Sequence, residues 1–382
     1  MEFTFLAPLD NEVIGFIGGL TSQHLGAKVV FHSETDFPDL DKVKIAIVGV
    51  LENRGANDSE NFGLTFFRKE LYSLFPGNWN TSIADLGNIL AGNSVEDTYF
   101  AVQKIIAMLV KKRIIPIVIG GSQDLTYPLY RAYDALEQMV NLVAIDSKFD
   151  FGKESESLSA TSYLTKIILD EPNNLFNYSN IGYQTYYNSQ EEIDLIEKLF
   201  FDAYRLGDIS NNISISEPVF RDADFVSIDL TSVKSCDSGN FSTFTPNGFN
   251  GKEICALSRY AGISDKVSLL GIFNHAGTRQ ESVLIAQVVW YFIEGFHYRS
   301  NEYPFGSREQ YLKYIIPFEE EELVFYKSNR TERWWIEIPF LSNANNKLKK
   351  ATLLPCSYEE YLAACHQEIP ERWWKAQRKN IV

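Results

Sequence analysis

From about residue 43 to about residue 303 the chain alternates short apolar, β-branched runs with longer amphipathic ones, and this alternation admits few folds. The short runs lie at residues 44–50, 114–120, 142–146, 179–183, 225–230 and 267–273. Their near-continuous Val, Ile and Leu content marks strands buried on both faces, as in a parallel sheet. Between them, residues 95–112, 125–138, 189–201, 251–261 and 282–297 repeat apolar positions at helical spacing, as in Ile105, Leu109 and Val110 or Ile193, Ile196 and Leu199. Strand, loop and helix in regular succession predict βαβ units and a doubly wound, mostly parallel sheet.

With 382 residues and 45% hydrophobic content, such a chain buries a core without disulfide or metal support. A formal charge of -15 excludes a broad nucleic-acid or anionic-membrane surface, because both need clustered Lys and Arg. The partners expected are therefore proteins or a small molecule. Cys236, Cys255, Cys356 and Cys365 form no CxxC pair and are expected to be reduced thiols. The start of the chain lacks a basic segment followed by a long apolar one, and no run reaches the roughly 18 apolar residues of a membrane span, so the expected location is the cytoplasm.

In doubly wound sheets ligands sit beyond the carboxyl ends of the strands. That rule selects Gly120-Gly121-Ser122-Gln123-Asp124, Asp146-Ser147-Lys148-Phe149-Asp150, Ser227-Ile228-Asp229-Leu230-Thr231 and Gly271-Ile272-Phe273-Asn274-His275. Gly120-Gly121 predicts a tight strand-to-helix turn, and Asp124 a helix N-cap. No GK[ST] follows the glycines, so a phosphate loop is not expected. The five histidines, His24, His32, His275, His297 and His366, form no HxH or HExxH pair.

In order, spacing and strand-end position, the four segments resemble the signature of the metal-dependent ureohydrolases: arginase, agmatinase and formimidoylglutamase. Those motifs read GGDH, DxHxD and SxDxD, with a glutamate after the next core strand. Asp85-Leu86-Gly87 resembles the family's DLG turn, and the likeness spans roughly residues 40–300. It implies a three-layer α/β/α fold over residues 1–303, association with a second copy of the chain and, for hydrolysis, two Mn²⁺ ions with a bridging hydroxide. Carried over position by position, Asp146, Asp150 and Asp229 match metal ligands. Gln123 and Lys148 stand where the two histidines would be, Thr231 where the last aspartate would be, and Asn274 at the glutamate.

A charged lysine donates hydrogen bonds and cannot coordinate a metal. The resemblance therefore leads to the expectation that Lys148 replaces one ion as a salt-bridged counter-charge among the three carboxylates. What is left is at most one weak, all-oxygen site at Asp146, Asp150, Asp229 and Gln123, suited to Mg²⁺ or Ca²⁺. Otherwise no cofactor is expected. His275, next to Asn274, is the candidate for a residual acid/base role.

The reading is a catalytically inactive ureohydrolase-like binding or scaffolding protein, a pseudoenzyme. One alternative is an active formimidoylglutamase-type hydrolase of amidine or guanidine C–N bonds, with Mn²⁺ in an altered site; the other is a non-catalytic small-molecule sensor. The remaining residues, 304–382, form an aromatic-rich extension expected to pack on the main domain or a partner. It holds the acidic run 319–322 and an internal echo, in which Glu332-Arg333-Trp334-Trp335 recurs as Glu371-Arg372-Trp373-Trp374.

Overall fold

Ten strands form the central sheet of the computed structural model, which describes residues 3–56, 62–136, 138–302, 304, 309–318, 321–338 and 353–381. They are β1 (Leu6–Ala7), β2 (Val30–Phe31), β3 (Ile45–Leu51), β4 (Ile83–Leu90), β5 (Ile115–Ile119), β6 (Val140–Ile145), β7 (Leu175–Tyr183), β8 (Asp202–Arg205), β9 (Phe225–Asp229) and β10 (Leu269–Phe273). Their spatial order is β1-β4-β3-β5-β10-β9-β6-β7-β8, with β2 also paired to β4. Every pairing is parallel except that of β1 with β4.

Alternation along each strand builds one apolar layer on each face. Ile45, Ile47, Ile117, Ile119, Ile145, Ile228 and Ile272 face helices Thr65–Ser73, Gly251–Ile263 and Arg279–His297. Ala46, Val48, Val118, Ala144, Phe225 and Phe273 face Val95–Lys111, Thr126–Arg131 and Tyr163–Leu169. This is the three-layer α/β/α arrangement the sequence predicts. Gly262 and Gly295 let Gly251–Ile263 and Arg279–His297 meet backbone to backbone: a Cβ at either would lie 2.1 or 2.4 Å from a carbonyl oxygen of the other helix.

Three local expectations change. The helix expected over residues 125–138 is α-helical only at Thr126–Arg131 and continues as the 3-10 turn Ala132–Leu136. There the Tyr133 hydroxyl is drawn to Asp224 O and Ser268 Oγ. Asp124 caps no helix; its Oδ2 accepts a 2.5 Å hydrogen bond from the Tyr99 hydroxyl. Asp85-Leu86-Gly87 lies inside β4, where Gly87 at φ +84° allows the approach of Ala7 O and the β3–β4 register shifts. Asp85 accepts from Arg68 Nε and Nη2 at 2.7 and 3.1 Å, and also from the Tyr72 hydroxyl. Its role is to tie an interior helix to the sheet.

The extension holds an antiparallel sheet, β11 (Tyr311–Phe318), β12 (Glu321–Ser328), β13 (Trp334–Glu337) and β14 (Leu353–Cys356), in that spatial order, followed by helices Tyr358–Cys365 and Glu371–Ile381. Within the acidic run, Glu321 and Glu322 start β12, whereas residues 319 and 320 lie outside the described residues. Trp334, Trp335 and Trp373 are buried, and Trp374 is 37% exposed. Trp334 stacks on Tyr361 at 4.4 Å. Arg221 of the main domain clamps the sheet, donating to Trp334 O at 3.0 Å and Cys356 O at 2.8 Å with its guanidinium 4.8 Å from the Trp335 ring centroid. An ammonium cannot reproduce that planar two-point grip. Arg221→Lys is expected to lower stability by about 2 kcal/mol in urea unfolding, and no change would mean that the extension is held elsewhere. No helix among the described residues is long and apolar enough to cross a membrane.

Candidate functional site

The four selected segments meet at the carboxyl ends of the four central strands β5, β10, β9 and β6. Asp229 is the last residue of β9, and Asp146 directly follows β6, its N–H donating to Ile181 O of β7 at 3.1 Å. Gln123 opens a short 3-10 turn after β5. The glycine before it has a reason: a Cβ at Gly121 would stand 2.1 Å from Glu52 O. Asp150 and Asn274 both adopt left-handed backbone, at φ +56° and +55°, a region Asp and Asn tolerate better than most residues.

Lys148, Asp150, Asp229, Thr231, Asn274 and His275 line one cavity of about 330 Å³. Gln123 and Asp146, 0% and 1% exposed, are buried and bonded to two of these residues, Gln123 N–H donating to Asn274 Oδ1 and Asp146 Oδ1 accepting from Lys148 N–H. All the residues singled out from the sequence are thus brought to one place, but Lys148 is not oriented as expected. Its side chain is exposed, with Nζ 5.6 Å from the Tyr187 ring centroid, and no ion pair within 4 Å joins it to the three carboxylates. The backbone explains this. Lys148 N–H donates to Asp146 Oδ1 at 2.9 Å and its carbonyl accepts from Asn180 Nδ2 at 2.8 Å, which fixes the turn with the side chain outward. The ammonium acts from the rim, where its charge only partly opposes the raised pKa of Asp150 and Asp229.

The three carboxylates are unequal. Burial, then the charges of Asp150 and Asp229, push Asp146 well above the usual carboxylate range. Burial and Asp229 lift Asp150 to about 7. Burial raises Asp229 too, but hydrogen bonds from Thr231 and Asn274 oppose it. Thr231 N–H donates to Asp229 Oδ1 at 2.7 Å, and Asn274 Nδ2 donates to Asp229 Oδ2 at 2.9 Å. Asn274 is held in turn: its Oδ1 accepts from Gln123 N–H at 3.0 Å and its own N–H donates to Gly121 O at 2.6 Å. This one side chain ties the ends of β5, β9 and β10 together.

A two-metal donor set does not fit these residues. Both oxygens of Asp229 are engaged by N–H donors, Lys148 points outward, and Thr231 brings no carboxylate. Among the described residues, no group of three or more His, Cys, Asp or Glu is arranged to hold an ion. Gln123 Nε2 donates to Ser227 Oγ at 3.0 Å, leaving Gln123 Oε1 and Asp146 Oδ2 buried without hydrogen-bond partners. His275 accepts from Gly277 N–H at Nδ1, 3.2 Å, and packs edge-on to Phe62. Burial lowers its pKa to about 4, so at neutral pH it has no imidazolium proton to give.

The sequence reading missed most of the polar layer beneath the cleft, in which Asn180 and Tyr163 join Ser227 of the third selected segment. Asn180 shares a cross-strand row with Ala144 and Ser227, so strand register would have found it. Tyr163 carries no such signal; it is fully buried, and burial pushes its hydroxyl well above the usual value.

The sequence model described as the Arginase family matches residues 56–288. No match to a curated protein was found by sequence search. Among solved structures, a Trypanosoma cruzi formiminoglutamase with Mn²⁺ is similar at 17% identity and TM-score 0.61, over 69% of this chain and 100% of that one. Formimidoylglutamase from Bacillus subtilis gives 15%, 0.61, 69% and 91%, and agmatine ureohydrolase of Thermoplasma volcanium 17%, 0.56, 74% and 97%.

Proposed function

Because the chain belongs to the arginase family, whose active members hydrolyse amidines or guanidines, we propose that this member has given up hydrolysis and keeps the cleft and the docked extension for binding. The observation that carries this reading is the double engagement of Asp229 by Thr231 and Asn274. Each accepted amide proton uses a lone pair that a metal-bridging carboxylate would offer, and it turns Asp229 toward Thr231 and Asn274, where no further metal donor stands. Two positions that would supply imidazole hold an amide buried under the cleft and an ammonium turned to solvent. Thr231 and Lys148 leave no donor set for a second ion that would acidify a water, and His275 is neutral at pH 7, so proton exchange in the cleft falls to Asp150, lifted to about 7.

A second reading is favoured by Gln123 Oε1 and Asp146 Oδ2, two buried acceptors without partners. Together with Asp150 they offer oxygen donors to one hard cation. In that reading the protein is a divergent C–N hydrolase working with a single ion, or a sensor that binds without turnover.

Metal content by elemental mass spectrometry after incubation with Mn²⁺ separates these readings, alongside release of ammonia, urea and formamide from formimidoylglutamate, arginine and agmatine. The pseudoenzyme reading expects no stoichiometric metal and no product. Turnover with bound manganese would make the chain a hydrolase. Thermal stabilisation by one of these compounds without product would make it a sensor.

A further inference from the structure

Beside the cleft, at the carboxyl ends of β7 and β8, lies a second cavity of about 390 Å³ that the proposed function does not use. We propose that it is an anion subsite taking a small phosphate- or carboxylate-bearing molecule. Its chemistry runs against that of the whole molecule. In a chain of net charge -15 it gathers Arg205 and Lys234 with one carboxylate, Glu253. Glu253 is already engaged, its Oε2 accepting from Asn250 N–H at 2.8 Å at the start of a helix. Among the described residues no ion pair includes Arg205 or Lys234. The Arg205 guanidinium donates to the Tyr183 hydroxyl at 3.3 Å and lies 6.0 Å from that ring's centroid, which leaves its other donors available. Two basic groups against one carboxylate leave the lining with a net positive charge, and an anion bound there gains charge-assisted hydrogen bonds.

The walls are preorganised. Gln184 Nε2 donates to Asn247 O at 2.7 Å, Asn247 Nδ2 returns a bond to Gln184 Oε1 at 2.9 Å, and a further one runs to the Tyr186 hydroxyl at 3.1 Å. This fixes loop 239–248 against the end of β7. Lys234 N–H donates to Phe249 O at 2.9 Å, so the lysine is anchored at the base of the same loop. A pocket whose frame is set by internal bonds loses little freedom on binding. The same loop contributes Asn240, Ser242 and Thr243 to the wall of the cleft, so one segment lines both cavities.

The test is titration of the full chain by calorimetry with inorganic phosphate and, separately, with citrate, at fixed ionic strength with chloride as the balancing anion. Saturable binding of at least one is expected. Arg205→Gln and Lys234→Gln should each weaken it about tenfold, the loss of one charge-assisted contact. Because neither side chain is in an ion pair, both variants are expected to unfold at the parent temperature when no anion is present. Binding of phosphate alone identifies a phosphate-bearing ligand, and of citrate alone a carboxylate-bearing one. No saturable binding of either, or full binding by the Arg205→Gln/Lys234→Gln double variant, would overturn the assignment.

Discussion

Restoring the three missing metal donors together with the glutamate, Gln123→His, Lys148→His, Thr231→Asp and Asn274→Glu, is expected to give a chain that carries about two manganese ions where the parent is expected to take up none stoichiometrically. Lys148→His alone is expected to bind none and to release no product. The single change supplies one imidazole at the rim but leaves Asp229 engaged by Thr231 and Asn274. Removing the Asn274 amide is the decisive step, since it frees Asp229 Oδ2 and breaks the bond that Gln123 N–H donates. The fourfold variant will pay a conformational penalty. Asn274 sits at φ +55°, where a glutamate costs about 1–2 kcal/mol more. Far-ultraviolet circular dichroism should therefore show the fold retained at lower stability, partly recovered when manganese is added. Elemental mass spectrometry and the product-release assays read the outcome. Turnover by the Lys148→His variant would refute the argument, because it would show that Thr231 and Asn274 do not block the site.

The fold was legible where burial on both faces wrote itself into composition. All six strands expected from apolar, β-branched runs are present, because a strand covered by helices on both sides tolerates little else. β4 escaped because Asp85, Gly87 and Asn88 interrupt its apolar run; they are there for the Arg68 bonds and the approach of Ala7. The extension was illegible for a different reason. Glu-Arg-Trp-Trp occurs twice, with Trp334 and Trp335 opening β13 and Glu371-Arg372-Trp373-Trp374 opening a helix. A tetrapeptide carries no secondary structure of its own; β12 and β14 on either side make the first copy a strand. At the candidate site, strand-end position identified which residues gather, because a parallel sheet fixes where its carboxyl ends lie. It did not give their directions. Lys148 was expected among the carboxylates and points to solvent, since bonds from its backbone to Asp146 and Asn180 set the turn. Asn274 stood out only as a missing glutamate, whereas its bonds to Asp229, Gln123 and Gly121 join segments up to 153 residues apart, which no local pattern encodes.

Asp150→Asn is expected to stabilise the protein at pH 8 and to leave it nearly unchanged at pH 4. Burial and the charge of Asp229 hold the folded pKa of Asp150 at about 7, above the usual value near 4 for an unfolded chain. A carboxyl raised in this way favours the folded state when protonated. Its contribution is fully present below about pH 4, falls as pH rises, and is lost once pH passes about 7. Each pH unit across that window is worth about 1.4 kcal/mol, which bounds the effect near 4 kcal/mol. Relaxation of Asp146 and the rim charge of Lys148 reduce the expected gain to about 2–3 kcal/mol. Asparagine suits the position, because φ +56° is a conformation it adopts readily. Urea unfolding of parent and variant at pH 4, 6 and 8 measures the difference. The parent should weaken as pH rises from 5 to 8, and the variant should lose most of that slope. A site built around a resident cation predicts the opposite sign, because the cation would hold Asp150 ionised and removing a ligand would destabilise the protein at pH 8. An Asp150→Asn variant less stable than its parent at pH 8 would therefore decide for the ion-binding reading of the cleft.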